Sequence, residues 1–116
     1  MNNLPDNDKV SLSETINRLI HEPSRYEIMS VLFVVENTDF IFLMRHTGFT
    51  GGNLSTHLRK LKDANYIDIR KEFVNNKPHT SISLTREGRI AFEQYRAQMK
   101  RALDTLPAID TSNEAP

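Results

Sequence analysis

The residues best suited to a chemical task lie between Thr50 and Lys60, where small, polar and basic side chains alternate with leucines. Short amide and hydroxyl side chains can bond to base edges or phosphates, and asparagine can pair with adenine through two hydrogen bonds. Lys and Arg add affinity for a phosphate backbone without reading sequence. We therefore predict a contact with double-stranded DNA through Thr50, Gly51, Gly52, Asn53, Ser55, Thr56, Arg59 and Lys60.

Each of these residues also has a simpler interpretation. Gly51 and Gly52 leave the start of a helix open to close approach by a phosphate, but glycines are also ordinary turn residues. Asn53 and Ser55 could equally bond within the first helical turn. A pair of cations such as Arg59 and Lys60 is often only a solvated helix face, and the positive charge around it favours phosphate contact.

A second polar group follows about ten residues later and indicates the tip of a hairpin. It is basic and carries no obvious apolar anchor, which suits the minor groove or its phosphates; a plain solvent-exposed turn is the alternative. The predicted contacts in this group are Lys71, Asn75, Asn76, Lys77 and His79. His57 lies beside the leucines instead, and we expect a partly buried structural histidine there.

The helix that must carry the first group is predicted over residues 51–64. Leu54, Leu58 and Leu61 fall at i, i+4 and i+7, a narrow apolar stripe that leaves the opposite face polar. Thr50 is a suitable N-cap. Asn65 tolerates the positive φ that a helix exit commonly needs.

Three helices are predicted before it. The first starts at Ser11 or Ser13 and has apolar positions at Leu12, Ile16, Leu19 and Ile20. The second covers residues 24–36, after Pro23, with Ile28, Val31, Leu32 and Val35 on one face. Residues 37–39 are predicted as a break. Asp39 then caps a short helix over residues 40–46, which Gly48 ends.

Two strands and a long helix are predicted after it. Residues 66–73 alternate, with Ile67, Ile69 and Phe73 sharing one face with Lys71. Residues 80–84 form the second strand, and residues 74–79 between them are predicted as a loop. Thr85 caps a helix to about residue 105. The order predicts a mainly α fold with a small β-hairpin, a winged helix-turn-helix, over residues 11–106, with flexible tails at 1–10 and 107–116.

The last helix indicates a second surface. Its apolar positions Phe92, Tyr95, Met99 and Ala102 follow the 3,4 spacing of a coiled-coil seam. Packing within one chain explains Phe92, but beyond Tyr95 the helix would project from a domain of this size. We predict a homodimer through Leu12, Ile16, Leu19, Tyr95, Met99, Ala102, Leu103 and Leu106.

Composition limits the function. The net charge is zero, yet residues 45–89 hold nine Lys and Arg against four Asp and Glu, and local charge sets the field that DNA meets. There is no cysteine, and the histidines lack metal-ligand spacing. We expect no metal, no cofactor and no enzymatic activity. Without a predicted signal peptide or membrane span, we expect a cytoplasmic protein that does not enter a membrane.

The segments GFTGGNLSTHLRKLKDANYIDIRKEF and NKPHTSISLTREGRIAFEQY closely resemble the winged-helix transcriptional regulators related to the MarR and ArsR families. The resemblance covers about residues 12–105, and its most specific parts are Asn53-Leu54-Ser55, His57-Leu58 and Leu84-Thr85-x-x-Gly88. Two departures stand out. Asn65 replaces a usual glycine, and the absence of cysteine excludes a thiolate metal switch.

This resemblance implies a sequence-specific regulator, in the first instance a repressor, that binds pseudo-palindromic promoter sites as a dimer. Its recognition helix would match residues 51–64 and its wing residues 73–80. MarR-like relatives often bind phenolic or lipophilic effectors. A pocket lined by Phe33, Phe40, Phe42, Met44 and Tyr95 is conceivable, but core packing explains these residues more simply, so any effector is unknown. The competing function is a winged-helix adaptor that binds protein without reading DNA.

Overall fold

A computed structural model describes residues 15–105 of the chain. Its elements in chain order are α1 (Pro23–Val35), β1 (Asn37–Asp39), α2 (Phe40–Thr47), α3 (Gly51–Asp63), β2 (Ile67–Val74), β3 (Lys77–Leu84) and α4 (Arg86–Asp104). The strands form one antiparallel sheet in the order β1-β3-β2. Helices α2 and α3 form a helix-turn-helix, and β2 and β3 form the wing. The predicted winged helix-turn-helix is confirmed, and the predicted tails lie outside the described residues.

The segment before α1 differs from the prediction of a helix reaching Ile20. Thr15 is helical, but the chain leaves the helix at Ile16. The side-chain oxygen of Asn17 accepts hydrogen bonds from the N–H groups of Leu19 and Ile20, at 3.0 and 3.1 Å. Asparagine thereby offers the backbone an alternative to helical bonding. Ile16 and Ile20 are nevertheless buried in the core.

Helix α1 begins at Pro23, one residue before the predicted start, after an N-cap at Glu22 whose carboxylate accepts from the N–H of Arg25 at 2.7 Å. Its buried residues are Ile28, Met29, Val31 and Leu32. The prediction that Val35 faces the core is wrong, since this side chain is 39% exposed. The helix ends at Val35, where Glu36 adopts a φ of 67° and redirects the chain.

Residues 37–39 form a strand rather than the predicted break. Thr38 pairs with Ile82 of β3, and the Asn37 side-chain oxygen accepts from the Ser81 hydroxyl at 2.7 Å. The sequence Asn-Thr-Asp carries no apolar alternation, so only the neighbouring strand makes it extended. The sheet is therefore three-stranded, not a lone hairpin.

The wing is longer and tighter than predicted. β2 and β3 pair up to Val74 and Lys77, which leaves Asn75 and Asn76 as the whole turn. Both asparagines have positive φ, 54° and 63°, as a type I′ turn requires. The predicted loop over residues 74–79 is therefore wrong, because most of it belongs to the strands.

The core forms where α1, α3, α4 and the sheet meet. The three leucines of α3 are buried, as predicted. The largest fully buried side chains are Ile20, Ile28, Met29, Leu32, Leu43, Leu54, Leu61, Ile82 and Phe92. Within residues 15–105, no helix is long and apolar enough to cross a membrane.

Helix α4 is fixed to the turn that leaves α3. Thr85 caps it by accepting from the N–H of Gly88 at 2.9 Å, and the Thr85 N–H and hydroxyl donate to the carbonyls of Tyr66 and Asn65 at 3.0 and 2.6 Å. A Cβ on Gly88 would overlap the Tyr66 carbonyl oxygen and lie 2.8 Å from its carbon. Asn65 adopts a φ of 63°, as predicted. Gly88 therefore allows two backbones to touch.

Candidate nucleic-acid interface

The turn between α2 and α3 fixes the direction in which α3 starts. Gly48 ends α2 in the left-handed conformation, with a φ of 76°, and its N–H donates to the carbonyl of Met44 at 2.9 Å. The Thr47 hydroxyl accepts from the N–H of Phe49 at 3.2 Å. Thr50 then caps α3 by accepting from the N–H of Asn53 at 3.1 Å. Both predicted ends, Gly48 and Thr50, are confirmed.

The face of α3 opposite its leucines is uncovered. We call this the outer face, and it comprises Gly52, Asn53, Ser55, Thr56, Arg59 and Lys60, all exposed. The only acidic residue of α3 is Asp63, its last residue. The helix start is also the positive end of the helix dipole. The outer face is thus polar and electropositive, with no apolar side chain.

The two glycines at the start of α3 are not required by the backbone. Neither has positive φ. A Cβ on Gly52 would meet no atom within 4 Å, whereas one on Gly51 would come to 3.8 Å from the Met44 sulfur, an ordinary contact. The fold would therefore accept alanine at both positions, and the absence of a side chain at Gly52 has no cause within the described chain.

The hydroxyl and amide groups of the outer face are only partly engaged. The Thr56 hydroxyl donates to the carbonyl of Gly52 at 3.0 Å, a local bond within the helix. The side chains of Asn53 and Ser55 make no hydrogen bond to any residue between 15 and 105. Bonding within the first turn, the alternative interpretation of these two residues, is not seen.

The lysines and the arginine among the predicted DNA contacts, on α3 and on the wing, form no ion pair within the described residues. Ion pairs there involve Arg70 with Asp68 at 3.0 Å and Lys100 with Asp104 at 2.8 Å, among others, but not Arg59, Lys60, Lys71 or Lys77. An exposed cation without a protein partner is available to contact a phosphate.

The wing places its predicted residues in two groups. Asn75, Asn76 and Lys77 lie exposed at the tip, and Lys71 is exposed further along β2. His79 is half-buried and pairs across the strands with Glu72. The tip does carry an apolar residue, contrary to the prediction: Phe73, predicted on the same face as Ile69, is 75% exposed. The core ends near Ile69, so the inward face of β2 becomes a free surface beyond it.

His57 is a half-buried structural residue, as predicted. Its Nδ1 lies 3.3 Å from a guanidinium nitrogen of Arg25 and 4.0 Å from the carboxylate of Glu22. A guanidinium only donates, so Nδ1 is the acceptor in the contact with Arg25. Arg25 also donates to the carbonyl of Leu19 at 2.5 Å. This network, which joins α3 to the segment before α1, leaves no periodic pattern in the sequence.

The predicted dimer residues differ in their burial. Ile16 and Tyr95 are buried in the core of a single chain, and the Tyr95 hydroxyl lies 2.8 Å from His21 Nδ1. Burial raises the pKa of Tyr95, with a smaller contribution from Tyr26. Leu19, Met99 and Ala102 are half-buried, while Leu103 is 68% exposed. Leu12 and Leu106 lie outside the described residues.

The structure also shows what the described residues do not contain. No group of three or more histidines and carboxylates between residues 15 and 105 is placed to hold a metal ion. The histidines instead have other neighbours, such as the Phe42 ring that stacks on His46 with centroids 5.8 Å apart.

Comparison with known proteins assigns the class. The model of the winged helix DNA-binding domain family matches residues 24–103. The chain belongs to this family of winged-helix DNA-binding domains. An uncharacterized protein of Methanocaldococcus jannaschii is 30% identical over 78 residues, which cover 67% of this chain and 85% of that protein.

Solved structures share the fold. The transcriptional regulator homologue of Pyrococcus horikoshii OT3 superposes with a TM-score of 0.74 at 23% identity, over 79% of this chain and 91% of that one. A putative transcriptional regulator of the MarR family from Enterococcus faecalis V583 gives 0.65 at 19% identity, over 90% and 89% of the two chains. The family is that of winged-helix DNA-binding domains, and these two solved structures share its fold.

Proposed function

We propose that the protein is a sequence-specific regulator that binds double-stranded DNA as a homodimer and represses transcription. Helix α3 would lie in the major groove and the wing would contact the minor groove or its phosphates. This docking suits a helix-turn-helix, whose second helix contacts base edges with its N-terminal residues. The proposed contacts are those predicted from the sequence on α3 and the wing.

The observation that carries the proposal is the outer face of α3. The centre of a protein-binding surface is depleted in charge and enriched in aromatic residues and methionine, and the outer face has no apolar side chain. It offers instead a side-chain-free position at Gly52, unengaged polar groups at Asn53 and Ser55, and unpaired cations at Arg59 and Lys60. The open position suits close approach of the DNA, the small polar groups suit base edges, and the cations suit phosphates.

The proposed dimer rests on the second half of α4. The helix has 19 residues, about 28 Å in length, and its last buried residue is Tyr95. Met99, which packs against the core, Ala102 and Leu103 continue the apolar stripe past Tyr95, with Leu103 exposed. A two-fold axis along this stripe would present two α3 helices to half-sites one helical turn apart, about 34 Å.

Repression is the simpler regulatory outcome for such a dimer. Occupancy of a promoter is enough to block it, whereas activation needs a further surface that recruits polymerase. The operator sequence and any effector stay open in this proposal.

Binding to duplex DNA as a function of salt tests the proposal. Fluorescence anisotropy with a mixed-sequence duplex of about 30 base pairs should give an affinity that falls about tenfold for every two phosphates neutralised, between about 50 and about 200 mM salt. Lys100→Ala, the matched control, should keep the wild-type affinity and salt dependence, because Lys100 lies outside the proposed surface and is paired with Asp104. Absent or salt-independent binding would contradict DNA recognition and favour the adaptor.

A further inference from the structure

Phe73 is an exposed aromatic residue at the end of the wing. Its side chain is 75% exposed, and it lies one residue before Val74, which pairs with Lys77 next to the turn. Its cross-strand neighbour is Pro78. Directly opposed residues share a face of the sheet, so an aromatic ring and a proline ring form one apolar ridge there.

Nothing in the local structure requires an aromatic residue at this position. The asparagines satisfy the turn, and no core residue lies opposite the ring. The hairpin is instead a rigid support, because the type I′ turn matches the strand twist and proline fixes its own φ. The strand pairing runs without interruption from Ile67 to Val74. The ring is thus held outward on a stiff element.

The charged residues near Phe73 indicate which kind of partner the apolar ridge binds. Lys71 lies on the same face of β2, two residues earlier, and Lys77 follows the turn on the opposite face, across from Val74; both are exposed and have no ion pair within residues 15–105. Glu72 points to the opposite face, across from His79. An apolar ridge beside the unpaired Lys71, with a second unpaired cation at the turn, suits a polyanion with an apolar interior, which is the stacked DNA duplex.

We infer that Phe73 is a wedge that enters the minor groove, inserts between two base pairs and kinks the duplex. Apolar side chains on minor-groove elements partly unstack a base step in this way. Pyrimidine–purine steps unstack most easily, so Phe73 also contributes a preference for such a step at a position that α3 does not reach. The inference rests on the proposed function, since it places the wing at the minor groove.

The test compares Phe73→Ser and Phe73→Leu with Val74→Ser. Val74 is also exposed at the wing tip, at 47%, but lies on the other face. A duplex of about 30 base pairs, recovered from a random pool by selection with the wild-type protein, carries a fluorophore at each end. Energy transfer between the ends reports bending, and 2-aminopurine at successive steps reports unstacking.

The wild type, Phe73→Leu and Val74→Ser should bend the duplex and brighten 2-aminopurine at one pyrimidine–purine step. Phe73→Ser should lose both signals and bind about tenfold more weakly, as expected for a lost stacking contact. Its salt dependence should stay unchanged because no cation is removed.

Bending and unstacking by Phe73→Ser at the wild-type level would overturn the wedge and leave DNA binding intact. A drop of the Phe73→Ser particle from dimer to monomer in light scattering would also overturn it, since Phe73 would then be a subunit contact. A wild-type protein that recovers no duplex from the pool would instead overturn the proposed function and the wedge together.

Discussion

Helices α3 and α4 begin with the same type of cap, but the glycines in their first turns have different roles. Thr50 and Thr85 cap them with the same bond, at 3.1 and 2.9 Å, to the N–H three residues on. Each first turn contains glycine. At Gly88 a Cβ would overlap the backbone of Tyr66, whereas at Gly52 it would meet nothing within 4 Å.

The difference separates two reasons for a glycine. Gly88 lets α4 approach the exit of α3, so the fold itself requires it. Gly52 costs about 0.8–1.0 kcal/mol of helix stability relative to alanine and returns no contact within the described chain. Because Gly52 weakens α3 without helping the fold, we expect its reason to be a binding partner. A closely approaching DNA backbone suits the positive charge around Gly52.

The largest effect is expected from Gly88→Ala, on the stability of the fold. The new methyl group must displace the Tyr66 carbonyl and strain the bonds between Thr85 and residues 65–66. We expect the free energy of unfolding to fall by about 3 kcal/mol, the upper range for overpacking against an immobile neighbour. Chemical denaturation measures it, and unchanged stability would show that the α3–α4 junction is looser than described.

Gly52→Ala should do the opposite to the fold. We expect a gain of about 0.5–1 kcal/mol in stability, but DNA affinity about tenfold lower, because the methyl group occupies space that the partner would enter. Denaturation and anisotropy on the same preparation check both. If Gly52→Ala gains the expected stability but binds DNA with unchanged affinity, Gly52 has no role at the interface.

Arg59→Ala should reduce affinity by about fivefold for every duplex tested and lower the salt slope by about one, as a lost phosphate contact does. Its fold should be unaffected, since the side chain is exposed and unpaired. Titrations of two unrelated duplexes at several salt concentrations measure it. A loss confined to one duplex would mean that Arg59 reads bases instead.

The smallest effect on average affinity is expected for Asn53→Ala. Removing one amide should change the ranking of sites, by about 1–3 kcal/mol at the base it contacts, while mixed-sequence DNA binds nearly as before. Competition between selected duplexes that differ at single base pairs measures it. An equal loss at all sites would remove Asn53 from sequence readout.

The sequence predicted the helices well because their signals are local. Leu54, Leu58 and Leu61 set the buried stripe of α3, and Asp39, Thr50 and Thr85 are caps that act within a few residues. It failed where the cause was distant. Residues 37–39 are extended only because β3, more than forty residues later, pairs with them.

The candidate surface divides in the same way. The outer face of α3 follows from its leucine stripe and was predicted from spacing. The exposure of Phe73 was not, because alternation along β2 says which face a residue takes but not where the core beneath it ends. The contacts of Glu22 and Arg25 with His57 join residues more than thirty positions apart, which single-chain patterns do not encode.

One measurement tests the central claim most directly: the amide chemical-shift changes of the ¹⁵N-labelled protein as a duplex is added. We expect the largest changes on Gly52, Asn53 and Ser55, a second set at the wing from Lys71 to Lys77, and little change in α1. Changes concentrated on α1, with the outer face of α3 unaffected, would contradict this expectation.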